Sequence, residues 1–150
     1  VDCLCWYGLP LRSQIHADGS RIFVVEAAGD IDEIDDKIAC TQLTLMKELR
    51  LKALVLEIVK YIITHPLRDW EDKGKLYEIA KDRSEALEDG FAIARGANPK
   101  VKGEKGAVLA VLVEDPEQSD RFLTAKVGTV GIELQPDTWY TAFDGRWVAL

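Results

Sequence analysis

Long apolar runs, histidines and paired cysteines are scarce in this sequence, and each shortage excludes a class of function. The longest apolar run is Gly106-Ala107-Val108-Leu109-Ala110-Val111-Leu112-Val113. It falls far short of the roughly 20 residues of a membrane-spanning helix, so no membrane partner is expected. The cysteines are Cys3, Cys5 and Cys40. They contain no Cys-x-x-Cys, the spacing of thiol redox chemistry, and no two closely spaced pairs of the kind that bind structural zinc. Cys3, Cys5 and Cys40 with His16 and His65 are the one set that could gather around a metal. Small buried thiols are the preferred reading, and neither metal nor cofactor is expected. An odd cysteine count without a secretory segment points to a reduced, cytoplasmic setting.

Catalytic signatures are equally sparse. Ser13, Ser20, Ser84 and Ser119 are available as nucleophiles, but neither His16 nor His65 sits in a signature that would activate one. The glycines at 90, 96, 103 and 106 are not followed by the Gly-Lys-Ser/Thr of a phosphate loop. Asp32/Glu33 and Asp35/Asp36 lack the spacing of a calcium loop. No catalytic or metal-binding residue is assigned; a non-enzymatic role is the preferred reading, and an enzyme domain stays open as the alternative.

What the sequence does contain is an ordinary core and an acidic surface. It has 150 residues, 47% of them hydrophobic, enough for a single domain spanning 1–150. The formal charge is -7. The acids are densest at Glu26–Asp36 and Asp69–Asp89, which reads as a solvated surface or, more sharply, as mimicry of a polyanion. Lys100, Lys102 and Lys105, offset by Glu104, are the nearest approach to a basic face. Direct nucleic-acid binding is therefore disfavoured.

The run Gly106–Val113, bounded by Gly103 and Gly106 and by Glu114-Asp115-Pro116, predicts a strand buried on both faces around which the rest packs. Cys3 to Leu11 is a short apolar segment. A chain that opens inside such a segment suggests residues upstream of Val1. Ala17-Asp18-Gly19-Ser20 predicts a turn, and Arg21–Ala27, β-branched and aromatic, a strand broken at Gly29-Asp30. An acidic loop, Asp30–Asp36, follows. Ile38–Leu45 predicts a strand with a slip in phase between Cys40 and Leu43, with a continuous helix from Asp36 to His65 as the rival reading. Leu51, Leu54, Val55, Ile58, Val59 and Ile62 share one helical face, and His65-Pro66 ends that helix. The fold class is therefore α+β, with one or two helices (about 51–64 and 67–87). The second would carry a broken stripe of Trp70, Tyr77, Ala80 and Leu87.

From Gly90 the glycines punctuate short segments, Phe91–Ala94 and Lys100–Lys102, like rungs of a β-solenoid leaning on the buried strand. A turn at Pro116–Asp120 precedes a strand from Arg121 to Val127. Gly128 and Gly131 mark a turn or bulge, and Gln135-Pro136-Asp137 another turn. The chain ends in a hairpin, Trp139–Phe143 and Arg146–Leu150, closed by Asp144-Gly145. Its aromatics, Trp139, Tyr140, Phe143 and Trp147, are the candidate partner-binding residues, with one face of the hairpin in the core.

Three blocks carry a family resemblance. The first comprises Cys5–Leu9 and Ser20–Glu26. The second comprises Gly29–Asp32, Asp36–Thr41 and Lys47–Leu49. The third runs through Ala92–Gly96, Lys102-Gly103, Gly106–Leu109 and Ala125–Val127 to Gln135–Thr141 and Asp144–Val148. Together they resemble an uncharacterised family of phage- and prophage-encoded proteins, catalogued as a domain of unknown function. In that family the region matching Ile63–Asp89 commonly holds glycine-and-alanine repeats that imply a β-solenoid. Here a charged segment replaces them, and Cys3 stands where the family tends to carry His. A looser resemblance, over Ile22–Asp32 and Leu51–Ile58, is to anti-sigma-factor antagonists. It would make Leu54–Glu57 a strand, and it offers only Thr64 where that family needs a phosphorylatable Ser.

The resemblance implies a phage or prophage accessory protein in the cytoplasm of a bacterial host. Such a protein would act by binding a host or phage protein, with counter-defence or polyanion mimicry as the sharper form. A truncated or degenerate enzyme domain and a self-associating β-solenoid cap are the alternatives, and homo-oligomerisation is left open.

Overall fold

The computed structural model describes residues 21–34, 37–68 and 70–150. The segments Cys3–Leu11 and Ala17–Ser20 lie outside these. Among the described residues the order is β1 (Ile22–Ile34), β2 (Lys37–Leu49), α1 (Leu51–Thr64), β3 (Asp72–Lys73), β4 (Tyr77–Ala86), β5 (Phe91–Gly103), β6 (Val108–Asp115), β7 (Gln118–Thr129), β8 (Tyr140–Phe143) and β9 (Arg146–Ala149). Among the described residues the fold is mostly β with one helix, an α+β arrangement of mixed sheets.

β6 is the centre, as its composition predicts. Val108, Leu109, Ala110, Val111 and Leu112 are all buried. Alternation sends Val108, Ala110 and Leu112 to one side and Leu109 and Val111 to the other. Each set joins a separate core. On the first side they meet Tyr77, Ile79, Phe91 and Ile93 under the apolar face of α1, formed by Leu54, Val55, Ile58, Val59, Tyr61 and Ile62. On the second side they meet Ala92, Ala94, Val101, Leu134, Tyr140 and Ala142. The alanines let the two sheet layers approach closely.

β4, β5 and β6 are parallel and in register, with Tyr77 opposite Phe91 and Phe91 opposite Val108. Parallel neighbours normally need a crossover of a dozen or more residues, yet only Leu87–Gly90 joins β4 to β5. A bend within each strand resolves this. β4 turns at Asp82, where φ is 62°, and β5 at Gly96. Their second halves, Arg83–Ala86 and Lys100–Gly103, then pair with each other in a second layer. There Val101 pairs with Tyr140 of β8, and β8 with β9. β3 and β7 run antiparallel along the two flanks of the first layer, against β4 and β6.

The helix expected over 67–87 is not formed: β3 and β4 occupy it. The side chains of Tyr77, Ile79, Ser84 and Ala86 are buried, and packing against β5 overrides the helical propensity of the Lys- and Glu-rich sequence. Leu54–Glu57, a strand under the second resemblance, lies within α1. Gly29-Asp30 does not end β1. The strand continues to Ile34 with a register shift opposite Thr41, so much of the expected acidic loop is strand. The extra residue lies on β1, where Gly29 and Asp30 stand opposite Thr41, so the expected slip in β2 is not a bulge of that strand: Ile38 and Cys40 face one side and Leu43 and Leu45 the other. The turn expected over Pro116–Asp120 is shorter, since β7 already begins at Gln118. The terminal hairpin forms as expected, with Asp144 at φ 49° and Gly145 at φ 68°. The positive angles at both central positions suit the Asp-Gly pair.

Candidate functional site

The second layer has an inner face on the core and an outer face on solvent. Pairing of Tyr140 with Ala149 and of Ala142 with Trp147 puts these residues on the inner face, where Tyr140, Ala142 and Trp147 join the core and Ala149 at the strand end stays exposed. Tyr140 is buried, and its ring meets Trp147 edge-on with centroids 6.0 Å apart. Its hydroxyl accepts the Gln135 N–H at 2.9 Å. Trp147 is half-buried against the same core. Two of the four candidate aromatics are thus built into the packing.

Strand alternation places Trp139, Thr141, Phe143, Arg146 and Val148 on the outer face. Phe143 is 76% exposed. The Thr141 hydroxyl donates to the Pro99 carbonyl at 2.6 Å, fastening the hairpin to the bend of β5. Trp139 is half-buried, and two cations lie against its ring. The Arg83 guanidinium is 4.3 Å from the ring centroid and the Lys102 ammonium 5.2 Å, within the range of cation–π attraction. Arg83 and Lys102 come from the second halves of β4 and β5, where Arg83 pairs with Lys100 and Glu85 with Lys102.

Glu85 ties the two cations together. Its carboxylate accepts from Arg83 Nη2 at 2.9 Å and from Lys102 Nζ at 3.1 Å. Burial pushes this carboxyl up, but the Lys102 and Arg83 contacts outweigh it and hold the group below the ordinary Glu value. The outer face therefore carries Arg83, Lys100, Lys102 and Arg146 around Trp139, Phe143 and Val148, with Glu85 as its counter-charge. The Lys100/Lys102 alternation was visible in the sequence. Arg83 was not, because its segment reads as helix.

The remaining chemical candidates do not converge. Among the described residues no group of three His, Cys, Asp or Glu side chains is placed to hold a metal ion. Cys40 is a half-buried free thiol on β2. His65 caps α1 and stacks on Tyr61 with centroids 3.9 Å apart. Its backbone carbonyl accepts the Trp70 indole N–H at 3.1 Å. Ser84 is fully buried and donates its hydroxyl to the Glu78 carbonyl at 2.8 Å. Cys3, Cys5, Ser13, His16 and Ser20 lie outside the described residues. The described residues also form clefts. One of about 240 Å³ lies over Trp70 and Ile79 beside Arg95 and Glu114. Another, of about 270 Å³, lies between Tyr77, Glu78 and Lys102. Among the described residues no helix is long and apolar enough to cross a membrane.

No curated protein and no solved structure matches the chain. Residues 1–57, which include β1, β2 and the first half of α1, match the family model described as Domain of unknown function (DUF7666).

Proposed function

We propose that this chain is a protein-binding module, a phage or prophage accessory protein of the bacterial cytoplasm. It engages an acidic, partly apolar protein surface through the outer face of its second layer. The observation that carries the reading is Trp139 with Arg83 and Lys102 against its ring, next to the exposed Phe143. On a chain of net charge -7, a face combining four cations with accessible aromatics is the exception to the surrounding surface. Aromatic and Arg side chains supply most interface hot spots. We read the in-register stack of β4, β5 and β6 as a short solenoid-like core that holds this face rigid.

Polyanion mimicry has less support. Such a surface needs carboxylates gathered on one side. Here Glu48, Glu57, Glu78, Glu85, Glu114 and Glu133 are each engaged by a Lys or Arg.

The test is affinity capture from a bacterial lysate with quantitative mass spectrometry, comparing the native chain with Phe143→Ser and with Arg83→Glu. The reading requires a protein that both variants lose, and that rebinds in purified form with an affinity falling as salt rises. An unchanged set of captured proteins would overturn it. So would a short single-stranded oligonucleotide binding more tightly than any protein, since cations beside an accessible ring also suit base stacking.

A further inference from the structure

A second surface, separate from the hairpin, lies along the outer edge of β7. β7 pairs with β6 on one side, and no strand among the described residues pairs with its other side. The ladder fixes where its peptide groups point. The Val108 N–H donates to the Gly90 carbonyl at 2.9 Å, so Val108 turns its peptide groups towards β5. Successive residues of a strand turn theirs to opposite sides, so Leu109, Val111 and Val113 turn theirs towards β7. They meet Gly128, Lys126 and Thr124 there. Ala125, Val127 and Thr129 therefore aim their N–H and C=O groups away from the sheet. At Thr129 both are taken: its N–H donates to the Glu133 carboxylate at 2.7 Å, and its carbonyl accepts the Glu133 N–H at 3.0 Å. At Ala125 and Val127, both half-buried, neither group has a partner among the described residues. At the other end of this open stretch a register irregularity leaves Leu123 unpaired with β6. An open edge of this kind is a template for an added strand.

The side chains of the stretch select its occupant. Ala125 and Val127 pack against the core beneath α1, and alternation puts Thr124 and Lys126 on the opposite face. No carboxylate among the described residues forms an ion pair with Lys126. A second copy related by a two-fold axis uses all the outward groups only with Ala125 of each copy opposite Val127 of the other. That register sets the two Lys126 side chains directly opposite each other, where like charges are destabilising. We propose that the edge instead binds an extended segment of another protein, added antiparallel as a strand beyond β7. An acidic residue of that segment stands opposite Lys126, and the apolar residues on either side of it stand opposite Ala125 and Val127. Across this edge the Lys126 position is a non-hydrogen-bonded one, where facing side chains come closest, so the carboxylate meets the ammonium directly. The flanking apolar side chains extend the face that Ala125 and Val127 present beside α1. Main-chain bonds supply the affinity and Lys126 the choice of sequence.

The experiment titrates the native chain with the capped peptide Thr-Val-Glu-Val-Thr and follows amide hydrogen exchange by nuclear magnetic resonance. The peptide slows exchange at Ala125 and Val127 and leaves Lys126, already bonded to β6, unchanged. The same peptide N-methylated at both valines has lost the donors that face β7 and binds at least ~10-fold more weakly. Thr-Val-Lys-Val-Thr also binds more weakly than the Glu peptide, and Lys126→Glu reverses that preference. Val127→Pro removes only an outward N–H, so it abolishes binding while its circular dichroism stays native. Where that variant does not fold, the N-methylated peptide on the native chain decides alone. Unchanged exchange at Ala125 and Val127, or equal binding of the N-methylated peptide, would overturn the proposal. Protection of both amides without peptide would overturn it too. If that protection grows with chain concentration, the edge belongs to a second copy; if it does not, the edge is already covered. The hairpin variants Phe143→Ser and Arg83→Glu leave peptide binding unchanged. Loss of binding in either would place the peptide on the hairpin and overturn the assignment to β7.

Discussion

The carboxylate of Asp82 occupies the space in which a side chain on Gly96 would stand. The two residues form the bends of neighbouring strands, and the pairing recurs at the returns, where the Asp89 carboxylate lies against Gly106. Both glycines have φ in the region that favours glycine, 150° and 85°. A methyl group at position 96 would meet the carboxylate and strain the backbone together.

Gly96→Ala should therefore destabilise the fold by about 2–3 kcal/mol. Asp82→Gly in the same chain should recover part of the loss, since it removes the obstructing carboxylate and relaxes a positive φ. Urea denaturation of the two single variants and the double variant measures this coupling. Additive losses would show that the two bends are independent.

Arg95 of β5 and Glu114 of β6 are joined at 2.5 Å, with side chains 14% and 17% exposed. Arg95 also donates to the Pro66 carbonyl at 2.9 Å and lies 5.2 Å from the Phe122 ring centroid. Removing either partner leaves a charge that water reaches poorly. Arg95→Met and Glu114→Gln should each cost about 3 kcal/mol. The pair replaced together should cost less than the sum, by chemical denaturation.

Tyr140→Phe keeps the packing against Trp147 and removes the acceptor for the Gln135 amide. A loss of about 1 kcal/mol is expected, with the near-ultraviolet spectrum of Trp147 preserved. A much larger loss would mean that the hydroxyl has further partners.

Glu78 sets part of the acid stability. Burial pushes its carboxyl up. The Lys73 ammonium at 2.7 Å and the Glu85 N–H at 2.7 Å more than offset this and hold it below the ordinary Glu value of 4.5. A depressed carboxyl contributes stability that is complete above its unfolded value and is lost as pH falls through its folded one. Glu78→Gln should thus be less stable than the native chain at neutral pH. The difference should shrink as pH is lowered from about 4.5, which thermal melts across that range would record.

The parts legible in the sequence are those whose signal is local. The Gly106–Val113 run is buried on both sides because it is apolar on both sides. The Asp144-Gly145 turn needs only two residues with positive φ, and α1 shows its buried stripe at helical spacing. The strand at 77–86 was hidden because its alternation changes phase. Tyr77 and Ile79 point inward before Asp82, and Ser84 and Ala86 after it. No single period runs through all ten residues. The hairpin aromatics could be named from sequence, but their division could not. Pairing with Val101 turns Tyr140 inward, while Trp139 acquires its cations from strands that sequence reading had not placed beside it.

The in-register stack of Tyr77, Phe91 and Val108 has a bearing on how this molecule can change length. Each of these strands adjoins the next in sequence, across a return of only a few residues. A further strand-bend-strand unit inserted at such a return would raise the layer by about 4.8 Å. Inserted between β4 and β5, it would reuse the same Asp-over-Gly geometry and leave the pairing of Val101 with Tyr140 of the hairpin in place. Growth and shrinkage by whole units are then tolerated where a single-residue insertion is not, because one extra residue would put every apolar side chain beyond it on the wrong side.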